Sequence, residues 1–371
     1  MSAEVDIAVI GAGVIGLAIA TELAQEEVFV FEKNRSFGLE ASSRNSEVVH
    51  AGIYYSEDSL KRKLCVEGNA LLYEFCAKHG VACKRLGKIF SAVEEDEIEG
   101  LEKLYEQARK NGVEGLKFIS RDELKKLEPN VEGIAGVLSP PSGIVDSFSF
   151  MEALYNKASK KVNFVFNCEV IGIEKVNTKY EVTIKEPGGI SSFITPILIN
   201  SAGLHAEKVA ELAGINIAEA GYKTYLLKGD YFSIRPKKWG LVKRLIYPVP
   251  GKVGVGIHNC LAVDGRERLG PDEYYVEDID YKVDRGKKEL FCNLAKKHFS
   301  FLESEDLEPE SSGIRPMLQG PEETLKDFVI AHEEDKGFPG LINLIGIESP
   351  GFTSSLAIGK YVKELLKEIS G

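Results

Sequence analysis

The chain has 371 residues, of which 44% are apolar and 28% charged, with a formal net charge of −11. That is enough apolar material for about two folded domains. The acid excess excludes a nucleic-acid partner, which needs a basic surface, and no run of about eighteen apolar residues supplies a transmembrane segment.

The acidic opening MSAEVD leads directly into an apolar run, unlike the basic, cleavable start of a signal peptide. A cytoplasmic chain, or one peripheral at a membrane, is the expectation. Residues 5–10 (VDIAVI) read as a buried parallel strand. Gly11, Gly13 and Gly16 follow in GAGVIG, and residues 17–25 form a helix. In this spacing the first glycine makes a tight turn and the second admits a pyrophosphate to the backbone. The third lets the helix lie close on the strand, and the helix N-terminus offers N–H groups to phosphate. A second strand, 28–31, ends in Glu32, where an acid should take a ribose 2′-hydroxyl. This strand–turn–helix–strand–acid unit binds a dinucleotide, and Glu32 disfavours a 2′-phosphate by like-charge repulsion.

The loop SSRNSEVVHAGIYY, residues 42–55, concentrates hydrogen-bonding chemistry just beyond that unit. Ser42, Ser43 and Asn45 are short donors suited to phosphate and ribityl oxygens, and Arg44 adds charge. Residues 47–55 read as a β-like stretch with His50, Gly52 and Tyr54 on one face. A bulge would exchange Tyr54 for Tyr55. A helix over 58–79 follows, closed by Gly80. Its Leu60, Leu64, Leu71, Leu72 and Phe75 are core, and Lys61, Arg62 and Lys63 form a solvated face.

An acidic helix at 94–111 ends at Asn111-Gly112, and Ser120 to Glu123 is a capping box. GGISS at 188–192 is a hairpin turn. Residues 197–203 (ILINSAG) are a strand and small-residue turn before a helix at 205–213. Strands are expected at 225–234, 245–249 and 253–258, then a long helical segment at 281–299. Another apolar run at 341–347 leads through ESPGFTSS into a helix over 353–369. Gly351 thus sets a second helix N-terminus beside the cofactor. A flavin needs one, because reduction develops negative charge at N1/C2=O. The six cysteines, Cys65, Cys76, Cys83, Cys168, Cys260 and Cys292, lack metal spacing and read as buried free thiols, with no metal site.

The whole chain resembles the FAD-dependent oxidoreductases of the D-amino-acid-oxidase-like superfamily, and most of all the L-2-hydroxyglutarate dehydrogenase/oxidase family. The matching stretches are SRNSEVVHAGIYY (43–55), KLCVEGNALLYEFC (63–76), PSGIVD (141–146), SAGLHA (201–206), KGDYF (228–232), LIYPVP (245–250), VGIHN (255–259) and SPGFTSSLAIG (349–359). The chain departs from the family pattern at Glu47, where glycine is usual, at Lys228, where arginine is usual, and after 269–271.

The resemblance implies an α/β fold in which a Rossmann-like FAD-binding domain is interrupted by an α+β substrate domain with an antiparallel sheet. The expected FAD-binding parts are 1–85, 146–215 and 311–371, with 86–145 and 216–310 binding substrate. It implies FAD contacts from Gly11, Gly13, Val14, Ile15, Gly16, Glu32, Lys33, Ser42, Ser43, Arg44, Asn45 and Ser46. Val170, Ala202, Gly203, Gly351, Phe352 and Thr353 complete that set. The implied reaction is oxidation of a small 2-hydroxy acid, L-2-hydroxyglutarate to 2-oxoglutarate, with oxygen or a quinone as electron acceptor. Arg315, in SGIRP, is the expected carboxylate anchor, since guanidinium is planar and bidentate. His258 is the expected base and His50 a substrate or flavin contact, with the exchanged assignment open; Tyr54 and Tyr55 would bind substrate. His79, His298 and His332 read as surface, and His205 as structural. The alternative is a glycine-oxidase-like amino-acid oxidase or dehydrogenase; a flavin-binding scaffold protein is a third reading.

Overall fold

A computed structural model describes residues 3–24, 26–251 and 256–370. The chain divides into two compact units, Met1–Ser43 with Ser147–Leu226 and Arg315–Gly371, and Arg44–Asp146 with Leu227–Ile314.

In the first unit the apolar run pairs as strand Ile7–Ile10, central in a six-stranded sheet. The order is Asn163–Phe166, Val28–Glu32, Ile7–Ile10, Ile197–Asn200, Leu341–Ile345 and Val329–His332. All neighbours are parallel except the last pair. Both faces are covered, which explains why these strands are continuously apolar rather than alternating. Helices Val14–Glu22, Ser147–Ala158 and Gly351–Ser370 pack together. Ala8, Ile10 and Phe31 instead join a core cluster with Tyr180, Val182 and Phe193 from a second sheet. That sheet holds Ala3–Glu4, Gly189–Thr195, Lys179–Glu186 and Glu169–Val176, and its central hairpin contains the expected turn. Helix Val14–Glu22 buries Leu17, Ala18, Ile19 and Ala20 completely, so it is apolar on all sides up to its last two residues, Thr21 and Glu22.

The second unit has one sheet of Leu245–Pro248, Lys88–Ala92, Ala135–Ser139 and Lys117–Ser120. Its first pair is parallel and the others antiparallel. A further sheet contains His258–Leu261, Glu267–Gly270 and Tyr274–Val276 with the long strands Tyr225–Ile234 and Leu307–Met317, within which the chain passes between units. Helix Leu60–His79 is capped by the Ser59 hydroxyl accepting from the Arg62 N–H, and ends on Gly80 at φ 70°. The Ser120–Glu123 capping box is present.

Several expectations need correction. The stretch 47–55 is not an extended alternating strand: only Val48–Val49 pairs, because Glu47 (φ 59°) and Gly52 (φ 82°) turn the chain left-handed. The segment 281–299 is helical only from Arg285, with the α-helix confined to Lys288–Ala295. Lys61 is 2% exposed rather than solvated, and His298 is 4% exposed rather than at the surface. Residues 253–255 of the expected strand 253–258 lie outside the described residues; His258 opens a strand, Leu261 ends it.

Glu47, where the resemblance leads one to expect glycine, has a left-handed backbone that suits glycine. Its left-handed conformation is held by Asn45 Oδ1, which accepts its N–H at 2.7 Å, and by the Val145 N–H donating to its carbonyl. Side chains other than glycine pay about 1 kcal/mol or more there. Glu47→Gly is therefore expected to exceed Glu47→Ala in stability by about 1 kcal/mol. Equal urea midpoints for the two variants would remove the backbone argument.

Candidate active site

In the first unit the turn after strand Ile7–Ile10 is built on glycine for three separate reasons. Gly11 sits at φ 98°, and a Cβ on it would lie 2.7 Å from the Ser201 carbonyl oxygen. Gly16 rests on the turn itself: its Cβ would lie 1.9 Å from the Gly11 oxygen. Gly13 begins the helix with no side chain capping it, and the Val14 N–H donates to Ser42 Oγ at 3.0 Å. Ile15, in the first helical turn, is half-buried. The first turn carries no acid, so no negative charge opposes a phosphate there, and the one side chain on its first amide is the neutral Ser42 hydroxyl.

Glu32 is 8% exposed. Its Oε2 accepts the Ala12 N–H at 2.8 Å, and its Oε1 accepts the backbone and side-chain N–H groups of Asn34. The acid at the second strand end is thus fixed against the glycine turn. Lys33 lies 2.6 Å from Glu40 and 2.8 Å from His205 Nε2. Burial opposes ionisation of the Glu40 carboxyl, but hydrogen bonds from His205 and Lys33 outweigh it and hold it down to about 2. Ser43 is exposed, and its hydroxyl donates to the Glu40 carbonyl.

Val170 sits at a β-bulge and packs against the cluster containing Phe31 and Cys168. The Ala202 N–H donates to Asn200 Oδ1, and Gly203 turns at φ 56°. Gly351 begins the final helix. Behind it the Phe352 ring lies 5.4 Å from Phe150, and Thr353 is 1% exposed. The hydroxyls of Ser354 and Ser355 are buried without a hydrogen-bond partner. Arg315 lies on strand Leu307–Met317 with Nη1 3.5 Å from Oε2 of Glu348, which is itself buried.

In the second unit buried side chains pin the loop 44–55 by its carbonyls. Arg268 Nη2 donates to the Asn45 carbonyl at 2.7 Å, and Gly313 leaves room for the Arg44 carbonyl, 2.2 Å from where its Cβ would be. The Arg44 guanidinium lies 3.9 Å over the Tyr281 ring. Ser46 is half-buried. Asn69 donates to the His50 carbonyl at 2.7 Å. Asn111 donates to the carbonyls of Gly52, Ile53 and Tyr55 at 2.8, 3.2 and 2.8 Å. Asn111 caps helix Ile98–Lys110 as the sequence leads one to expect, and its side chain also anchors the turn.

The Tyr54 and Tyr55 rings are 4.8 Å apart, and Tyr54 meets Phe90 edge-on. Phe90 meets Tyr247, and Tyr247 stacks on the His258 imidazole at 3.7 Å and 15°. Tyr54, Tyr55 and His258 are thereby joined through a continuous aromatic chain. His258 is 3% exposed and its Nδ1 lies 3.1 Å from the Asn259 carbonyl. A carbonyl can only accept, so Nδ1 carries the hydrogen and Nε2 carries the lone pair of the neutral ring. The Lys88 Nζ lies 3.6 Å from the Tyr247 ring centre. Lys88 escaped the sequence reading, although a lysine in phase with Phe90 and Ala92 was its signal. Lys228 does not suit a second carboxylate: buried, it donates to the Lys282 carbonyl at 2.5 Å. His332 is half-buried and accepts the Gly340 N–H.

The chain matches the FAD dependent oxidoreductase (DAO) family over residues 6–365. It belongs to that family. It is 37% identical to the mitochondrial L-2-hydroxyglutarate dehydrogenase of Arabidopsis thaliana, covering 97% of this chain and 83% of the relative. It is 32% identical to a glycerol 3-phosphate dehydrogenase of Caloramator mitchellensis, covering 98% and 74%. Among solved structures, the dithionite-reduced L-alpha-glycerophosphate oxidase of Mycoplasma pneumoniae with FAD bound superposes with a TM-score of 0.88 at 27% identity. That match covers 98% of this chain and 94% of the other. As an FAD dependent oxidoreductase the chain uses FAD, and the first unit fits it: an uncapped helix start on a glycine turn, with Glu32 beside it. Among the described residues, no cluster of His, Cys, Asp or Glu could hold a metal, and no helix is long and apolar enough to cross a membrane.

Gly16→Ala is expected to lose bound flavin colour or fold poorly, because backbone cannot retreat from a contact of 1.9 Å. Gly13→Ala, 3.1 Å from the movable Ser42 hydroxyl, should keep the fold and weaken FAD; absorbance after gel filtration checks both. Burial pushes the Lys88 amine from 10.5 down to about 7. Between those values the unfolded chain binds a proton that the folded one refuses, so stability rises with pH across that window. Lys88→Met should therefore be more stable below pH 7 by on the order of a few kcal/mol, with the gain fading towards pH 10.5. Urea melts at pH 6 and above pH 10 measure the difference.

Proposed function

We propose that the protein oxidises L-2-hydroxyglutarate to 2-oxoglutarate, the first unit binding FAD and the second supplying the substrate-domain residues. The observation that carries this reading is the near-full-length identity to an L-2-hydroxyglutarate dehydrogenase. The geometry of His258 supports it. Its Nδ1 lies 3.1 Å from the Asn259 carbonyl, which favours the hydrogen on Nδ1, and in this reading Nε2 accepts the proton of the substrate hydroxyl. When bound, FAD accepts the hydride from the carbon bearing that hydroxyl.

Arg315 holds the 1-carboxylate in this reading, oriented by Glu348. Tyr54 and Tyr55 contact the substrate on the loop that Asn111 anchors, and His50 is a substrate or flavin contact. Gly11, Gly13, Val14, Ile15 and Gly16 would hold the pyrophosphate, and Glu32 and Lys33 a ribose. Ser42, Ser43, Arg44, Asn45 and Ser46 serve phosphate and ribityl oxygens. Val170 flanks the nucleotide, Ala202 and Gly203 line its path, and Gly351, Phe352 and Thr353 meet the flavin. Electrons then pass to oxygen or to a quinone; a quinone requires work at a membrane surface rather than free in the cytoplasm. Peroxide formation in air separates the two.

Glycerol 3-phosphate is the second reading, favoured by the Caloramator relative and the Mycoplasma structure. Anaerobic mixing of the purified flavoprotein with L-2-hydroxyglutarate, glycerol 3-phosphate, glycine and L-proline decides among substrates. Bleaching by L-2-hydroxyglutarate alone is expected; bleaching only by one of the others sinks the assignment. His258→Gln should keep its flavin and slow reduction by roughly 10²–10⁴-fold. Arg315→Met should raise KM by roughly 100-fold, as loss of charge-assisted hydrogen bonds requires.

A further inference from the structure

Two groups lie against the ring of Tyr247. The His258 imidazole stacks on it at 3.7 Å, nearly parallel, and the Lys88 Nζ lies 3.6 Å from the same centre. With one face covered by imidazole, an ammonium at that distance can occupy only the opposite face. Amine and imidazole therefore flank one aromatic ring, roughly 7 Å apart, where unit charges in a buried setting still repel.

We infer that Lys88 is a positioning residue for the reaction, one that keeps His258 in its proton-accepting form by opposing a second positive charge across Tyr247. The inference rests on the reading of His258 as the base.

The surroundings bear it out. Lys88 is 1% exposed, and burial lowers its amine to about 7, so it still carries charge at and below neutrality. Helix Leu60–His79 presents Cys65 to it and strand His258–Leu261 presents Cys260; burial pushes both thiols up to about 12, so neither is an anion near neutrality. Burial likewise raises Tyr247, which feels Cys260, Tyr54 and Tyr231. Beyond Cys260 stand Arg268 and Glu310, 3.9 Å from each other. The named groups thus comprise Lys88, charged at and below about pH 7, and Arg268, on which the carboxylates Glu310 and Glu47 act. A methionine would fill the same space without the cost of burying an amine, so packing alone does not account for lysine here.

The test reads the imidazole itself. Histidine is labelled with ¹⁵N in the FAD-loaded protein, in Lys88→Met and Lys88→Gln, and in Lys88→Arg, and the rings are titrated without substrate; His258→Gln assigns the signal. The His258 midpoint is expected to rise by on the order of one pH unit in the Met and Gln variants. It should stay low in Lys88→Arg, and the acid limb of anaerobic flavin reduction should move upward with it. An unmoved midpoint in both neutral variants overturns the inference even where turnover falls, since a packing role alters rate or stability without shifting that titration. Failure of L-2-hydroxyglutarate to bleach the parent flavin strikes the substrate assignment instead, and the midpoint comparison still decides the role of Lys88.

Discussion

Everything in the cofactor-binding unit turns on the contact between the α-carbon of Gly16 and the carbonyl of Gly11. A side chain on Gly16 would sit 1.9 Å from that oxygen, so the helix lies against its own entering turn only because glycine has no side chain. The close seat aims the uncapped helix start at the end of strand Ile7–Ile10 and brings Ala12 within reach of Glu32. A second small residue continues the theme on the far side of the helix. Gly359 of Gly351–Ser370 would carry its Cβ 2.8 Å from the Ala18 oxygen. The helix is held between two backbones, and the apolar run from Val14 to Ala20 follows from how little of it is left to water.

The other unit solves a different problem. A loop that presents polar groups inward leaves its own carbonyls buried, and these need donors. Asn111, Asn69 and Arg268 provide them from a helix end, a helix face and a strand. One amide serving three carbonyls removes freedom from residues 52–55, which is what a substrate-orienting loop needs. The rigidity of Tyr54 and Tyr55 is therefore set from a residue more than fifty positions away.

That distance also explains which parts of the molecule could be read from the chain. The glycine turn, Glu32, the Ser59 and Gly80 helix ends and the Ser120 box are local devices whose partners lie within a few residues or in a fixed motif. The left-handed backbone at Glu47 and Gly52 broke the expected alternation because nothing between residues 47 and 55 announces the distant donors. Lys61 and His298 were misjudged for a related reason: charge density in sequence says nothing about which side of a helix the rest of the fold covers. Lys88 was the reverse case, a charged residue whose inward phase was visible beside Phe90 and Ala92 but whose neighbours were not.

An acidic chain that takes the proposed dianionic substrate would have to reverse its own field locally. Around His258 the cations are few: Lys88, buried and charged only at and below about pH 7, and the half-buried Arg268. Positive charge there would favour a carboxylate and disfavour imidazolium alike, so on the proposed reading attraction of the substrate and readiness of the base would have one origin. Raising the local charge further would trade against stability, since each buried cation lacks a full partner. Glu310 beside Arg268 marks the compromise: enough negative charge to hold the fold, placed on the guanidinium rather than on the amine that faces Tyr247.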